Sequence, residues 1–156
     1  MPLSNDPVYF QRPFAVQAVL TGANTDIDDG PDAAVVELDF AGGVDALLEG
    51  DGGALTALTW VGRATSTATV AYLYESLDNG ATRRVIAVAS IAADTASATD
   101  APAQAAFHYN GERITATNPI LIPAGAGAAK ARYYVGASVA LAAGWAVRGQ
   151  GATLGG

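Results

Sequence analysis

The chain has 156 residues, eight basic and fifteen acidic side chains, a formal net charge of −7 and no cysteine. A chain of this length folds as one domain without a covalent staple, burying roughly 70% of its unfolded surface, and without thiols it has neither disulfides nor a thiolate metal site. The acidic balance argues against free binding to nucleic acid, whose affinity comes mainly from neutralising phosphates; no apolar run approaches a membrane span, and the N-terminus lacks the basic-then-apolar pattern of a secretory signal.

Residues 1–13 carry Pro2, Pro7 and Pro13 beside Tyr9 and Phe10. Proline interrupts a regular ladder, so this stretch is expected to be an extended arm, on its own domain or on a neighbouring subunit. Residues 14–156 are expected to form a single domain. Phe14 to Leu20 reads as its first strand, and Ala33 to Phe40 as the second, alternating Ala34, Val36, Leu38 and Phe40 with Ala33, Val35, Glu37 and Asp39. The glycine-rich segment 41–54 spaces Val44, Leu47 and Leu48 for one helical turn. Leu55 to Val61 and Thr67 to Glu75 form two further strands, read as a hairpin about Thr65 and Ser66.

Asp78-Asn79-Gly80 signals a turn, because Asn and Gly tolerate positive φ. Arg83 to Ile91 is the return strand. Residues 93–104 read as a polar loop. Phe107-His108-Tyr109 meets Glu112-Arg113-Ile114 across Asn110-Gly111, the most specific hairpin signal in the chain. Ile120 to Ile122 is a short strand closed by Pro123. A long alternation follows. Ala131, Tyr133, Val135, Ala137, Val139 and Leu141 fall on one side, Lys130, Arg132, Tyr134, Gly136, Ser138 and Ala140 on the other. After Ala142-Ala143-Gly144, Trp145 to Arg148 reads as the return strand of a final hairpin. Nine or ten strands with no long helix predict an all-β fold, an antiparallel β-sandwich or jelly roll.

Few residue groupings suit bond-making chemistry. His108 is the only histidine, and a Ser-His-Asp arrangement would have to use it at a hairpin tip. One histidine without cysteine leaves a transition-metal site short of ligands. Asp26, Asp28 and Asp29 resemble a calcium loop, since clustered carboxylates suit a hard cation. Read as an EF-hand from Asn24, however, the glycine position holds Asp29 and the bidentate position holds Val35, so an acidic solvated turn is the better reading. No cofactor is implied. The glutamates form no glycosidase motif, and the glycine-rich stretches lack the lysine of a phosphate loop. Trp60, Tyr72, Tyr74, Tyr133, Tyr134 and Trp145 suit either a sugar-stacking platform or a core.

Charge is uneven. Nine acids and no base lie between Asn24 and Asp51, whereas seven bases oppose five acids from Trp60 onward. This is either a solvated acidic edge or a polar protomer whose acidic part meets a basic patch on a partner or another copy.

The strand order from Leu55 to Ser76, the return strand to Ile91, the polar loop, Pro119-Ile120-Leu121-Ile122-Pro123-Ala124-Gly125 and the closing strands together resemble small β-sandwich structural proteins of tailed bacteriophages and gene transfer agents. The resemblance spans roughly residues 55–154 and is architectural. It implies a non-enzymatic subunit on the exterior of a virion made in a bacterial cytoplasm. Such a subunit is a head-spike base or capsid decoration protein, a homo-oligomer or ring that contacts the major capsid protein or another virion protein and carries a fibre. Tyr9, Phe10, Phe14, Tyr133, Tyr134 and Trp145 are then the expected contact residues, without direct nucleic-acid or membrane binding. The alternative is a carbohydrate-binding receptor or adhesin module of a tail or fibre tip, meeting a cell-surface glycan.

Overall fold

The computed structural model describes residues 10–23, 34–40, 52–140 and 144–154, with side chains from Pro13 onward. Tyr9, the side chain of Phe10, the acidic turn with Asp26, Asp28 and Asp29, the proposed helical turn around residues 44–48, and Leu141 lie outside the described residues.

The described chain is all-β, with a single 3-10 turn at Gly127–Ala129. Its strands are β1 (Phe10–Leu20), β2 (Val36–Glu37), β3 (Asp39–Phe40), β4 (Gly53–Gly62), β5 (Thr69–Ser76), β6 (Arg84–Ile91), β7 (Gln104–Ala106), β8 (His108–Tyr109), β9 (Glu112–Arg113), β10 (Ile120–Ile122), β11 (Arg132–Ala137) and β12 (Trp145–Leu154). They form two antiparallel sheets packed as a sandwich. The first runs β10-β4-β12-β1-β3, with β7 also paired to β4; the second runs β2-β11-β5-β6-β8-β9.

Period-two alternation drives this arrangement. In β1, Phe14, Val16, Ala18 and Leu20 are buried, while Pro13, Ala15, Gln17 and Val19 are exposed. The inner faces meet around Trp60 and Trp145, both fully enclosed, with ring centroids 4.6 Å apart. Phe14, Phe40 and Tyr133 continue the core as a chain of tilted rings at 5.6 and 6.2 Å. Gly151 is required beneath Phe14, because a Cβ there would strike both the Phe14 ring and the Ala54 carbonyl.

Both lateral edges are laced by a chain that changes sheets at one buried residue. Leu38 carries the chain from β2 in the second sheet to β3 in the first, and its N–H donates to the Tyr133 carbonyl at 2.8 Å. Phe107 carries it from β7 in the first sheet to β8 in the second; its N–H donates to the Leu58 carbonyl at 3.0 Å, and its own carbonyl accepts from Ile114. Among the described residues, the outermost strands, β3, β7 and β10 of the first sheet and β2 and β9 of the second, are each two or three residues long.

Several expectations change. Leu55–Val61 and Thr67–Glu75 are not a hairpin, because β4 lies in the first sheet and β5 in the second. The closing hairpin fails for the same reason: β11 pairs with β5 and β2, whereas β12 pairs with β4 and β1. Alternation reports a buried face, and either sheet of a sandwich offers one. β11 ends at Ala137, and its outward Tyr134 and Gly136 are buried too. β12 runs on to Leu154. The second expected strand is two short ones, split where Leu38 crosses. β7 begins at Gln104, the last residue of the expected polar loop. β1 starts at Phe10, so residues 10–13 of the expected arm belong to a strand. Pro13 is accommodated because the register slips between Phe10 and Pro13, and β3 pairs only with Val16 and Gln17. The Asp78–Gly80 and Asn110-Gly111 turns form as read, with Asn79, Gly80, Asn110 and Gly111 at positive φ.

Candidate interaction surface

The outward positions of the second sheet carry its aromatic and basic side chains. Tyr134 stands opposite Tyr74, and Tyr72 lies between Gly136 and Val88. The Arg83 guanidinium sits 4.0 Å from the centroid of the Tyr134 ring, and the Gly80 backbone lies close against its hydroxyl. Tyr134 is thereby only 6% exposed and Tyr74 2%. Tyr72 remains half-buried, in a row with Val88, His108 and Arg113. Glu37 pairs with Arg132 at 3.4 Å at the β2 edge.

The turn beside this cluster is held by Asp78. Its carboxylate accepts from the Thr82 N–H at 2.8 Å, the Thr82 hydroxyl at 2.7 Å and the Ser76 hydroxyl at 2.8 Å. Those donors, led by the Thr82 N–H, draw the Asp78 pKa down from the ordinary carboxylate value to about 2. At the end of the core, the Tyr133 hydroxyl donates to Glu75 at 3.0 Å. Burial first, and then the Glu75 charge, push the Tyr133 phenol well above its ordinary range. Both arrangements are structural. Among the described residues no three His, Cys, Asp or Glu side chains converge as a metal site. His108 is exposed opposite Val88 and Arg113.

The outer face of the first sheet differs in character. Pairing aligns its outward residues in rows. One row reads Val19, Ala146, Val61, Gln104; the next reads Asp39, Gln17, Arg148, Thr59, Ala106; a third reads Ala15, Gln150, Ala57. This face is five strand positions wide, and within these rows its only charges are Arg148 near the centre and Asp39 at the rim. Val19 is 51% exposed at one end, and Leu121, opposite Ala54 on β10, is 61% exposed at the other. An open groove of about 610 Å³ crosses the Leu121 end between Pro13, Ala15, Thr56, Gln150 and Ala152. A smaller hollow of about 220 Å³ lies beside Ala15, Gln17, Arg148 and Gly149.

Of the expected contact residues, Phe14, Tyr133 and Trp145 lie in the core and Tyr134 lies under Arg83. Their apolar surface is already spent within the chain. Trp60 is enclosed as well, and neither indole N–H has a hydrogen-bond partner. The residues free to meet a partner are the small and amide side chains between them. Their signal was present in the sequence as the alternate positions of 15–19, 57–61 and 146–150, uncharged except for Arg148. It became a surface only when the strands were set side by side. No family model, curated protein or solved structure matches this chain.

Proposed function

We propose that this protein is a non-enzymatic structural subunit of a phage-like particle, a capsid head-spike base or decoration protein that self-associates, anchors to the capsid and supports a fibre. The observation that carries this reading is the outer face of the first sheet. An acidic chain of net −7 keeps a face five strand positions wide nearly free of charge. Depletion of lysine and acidic side chains, with arginine retained, is the compositional mark of an interface core, and the rows of this face hold only Arg148 and, at the rim, Asp39. The architectural resemblance to small virion sandwiches supplies the particle. Labelled protein should co-sediment with assembled capsids and appear on the head when intact particles are imaged. A chain that stays monomeric and fails to bind assembled capsids overturns the proposal.

The second reading, a carbohydrate-binding module of a tail or fibre tip, rests on one observation: Tyr72 is half-exposed in a row with His108 and Arg113. Trp60 and Trp145 are enclosed, so a sugar ring would stack on Tyr72. This reading expects glycan-array binding that Tyr72→Ala abolishes; an array without hits removes it.

A further inference from the structure

We infer that the outer face of the first sheet pairs with the same face of a second copy, about a two-fold axis running along β1. The inference rests on the reading of a self-associating subunit and specifies the surface and symmetry. A two-fold contact is isologous: whatever residue i meets on residue j, j meets on i. The face must therefore be complementary to itself.

The charges decide where the axis lies. Asp39, Gln17 and Arg148 occupy one row on β3, β1 and β12. Asp39 and Arg148 are two strand spacings apart, about 10 Å, and no described salt bridge joins them. An axis centred on β12 would set Arg148 against its own copy, an unfavourable like-charge contact. An axis along β1 instead sets Asp39 opposite Arg148 of the second copy, and Arg148 opposite its Asp39. Each pairing neutralises the other half of the row.

The remaining β1 positions suit the axis. Gln17 meets Gln17, and an amide both donates and accepts, so two related amides satisfy each other. Val19 meets Val19, which covers a valine that is 51% exposed in the single chain. Ala15 meets Ala15 and lets the sheets approach. The hollow beside Gln17, Arg148 and Gly149 receives the opposing side chains.

Size sets the strength. β1 lies along its copy for roughly 24 Å, whereas the two-residue β3 meets the copy of β12 over only about 7 Å. The described strands thus cover less than the roughly 1,000 Å² typical of specific association, so the contact is weak. The dimer is therefore concentration-dependent, and assemblies built on it contain even numbers of copies.

The test is sedimentation equilibrium of the full chain over a concentration series, with circular dichroism to establish that each variant is folded. The wild type should dimerise. Val19→Lys should weaken dimerisation at least about tenfold. Asp39→Arg and Arg148→Asp should each weaken it several-fold, and the double exchange Asp39→Arg/Arg148→Asp should restore it. A wild type that remains monomeric at about 1 mM overturns the inference. So does an oligomer indifferent to Val19→Lys, an odd-numbered assembly, or a double exchange weaker than either single variant. Binding of the same variants to assembled particles separates the two claims: particle binding by a strict monomer sinks only the pairing, whereas a monomer that also ignores particles sinks the function as well.

Discussion

Asp78 shows how much a single half-buried residue can organise. Ser76 and Thr82 donate to its carboxylate from either side of a turn in which Asn79 and Gly80 hold positive φ. The Ser76 hydroxyl then accepts from the Gly80 N–H at 2.7 Å, tying the turn to the end of β5. All three donors to Asp78 favour its charged form, so its pKa is lower in the folded than in the unfolded chain. The unfolded chain therefore binds the proton first as pH falls. The stabilisation is complete above the ordinary carboxylate pKa and disappears as pH drops through about 2. Asp78→Ala should lower the urea midpoint at pH 7 and flatten its decline between pH 4 and pH 2. A variant whose acid limb parallels that of the wild type would show that the turn does not depend on this carboxylate. The motif was legible in the sequence as Asp-Asn-Gly. The proximity of Tyr134 to Gly80 was not, because those residues lie more than fifty positions apart.

At the scale of elements, the two crossings hold the architecture. Phe107 lies between β7 and β8, fully buried, and sends its backbone to both sheets. Leu38 is likewise buried between β2 and β3, with its N–H bonded to the Tyr133 carbonyl of the second sheet. Removing the Phe107 ring opens a cavity where the sheets are laced, and core Phe→Ala substitutions cost about 3–5 kcal/mol. Phe107→Ala should lose stability in that range in chemical denaturation, with the Ile114 amide losing hydrogen-exchange protection before β1 and β12 do. A loss below about 1 kcal/mol would mean the edge closes without the ring. The sequence marked Phe107 as the start of a hairpin strand, which assigned its neighbours to one sheet. The structure ends the first sheet at Ala106 and begins the second at His108. Local patterning located the Asn110-Gly111 turn because turn chemistry resides in two adjacent residues. It misjudged the segments around 63–68 and 138–144 because hairpin and inter-sheet connections share the same short, polar or small-residue composition.

At the scale of the whole molecule, the two outer faces divide the labour. The second sheet displays tyrosines and arginines, of which Arg83 lies over Tyr134 and Arg132 pairs with Glu37. The first sheet displays alanines, threonines, glutamines and valines around a single arginine. In the inferred dimer, Asp39 of one copy opposite Arg148 of the other would fix the register. The charge-exchange experiment and the particle-binding experiment belong to this scale, since each reads the molecule's behaviour toward copies of itself or toward the particle.

Composition and period-two alternation by themselves determined an all-β chain with two tight turns and no thiol chemistry, because strand propensity, turn geometry and residue chemistry are local properties. Which strands pair, and hence which side chains are spent on the core, was decided only by tertiary structure. Phe14, Tyr133 and Trp145 looked like contact residues because an aromatic on an alternating strand serves a core or an interface equally well. Packing enclosed them and brought Asp39, Gln17 and Arg148 into one row from positions more than a hundred residues apart. That row exists in no local stretch of sequence, because it is a property of sheet register.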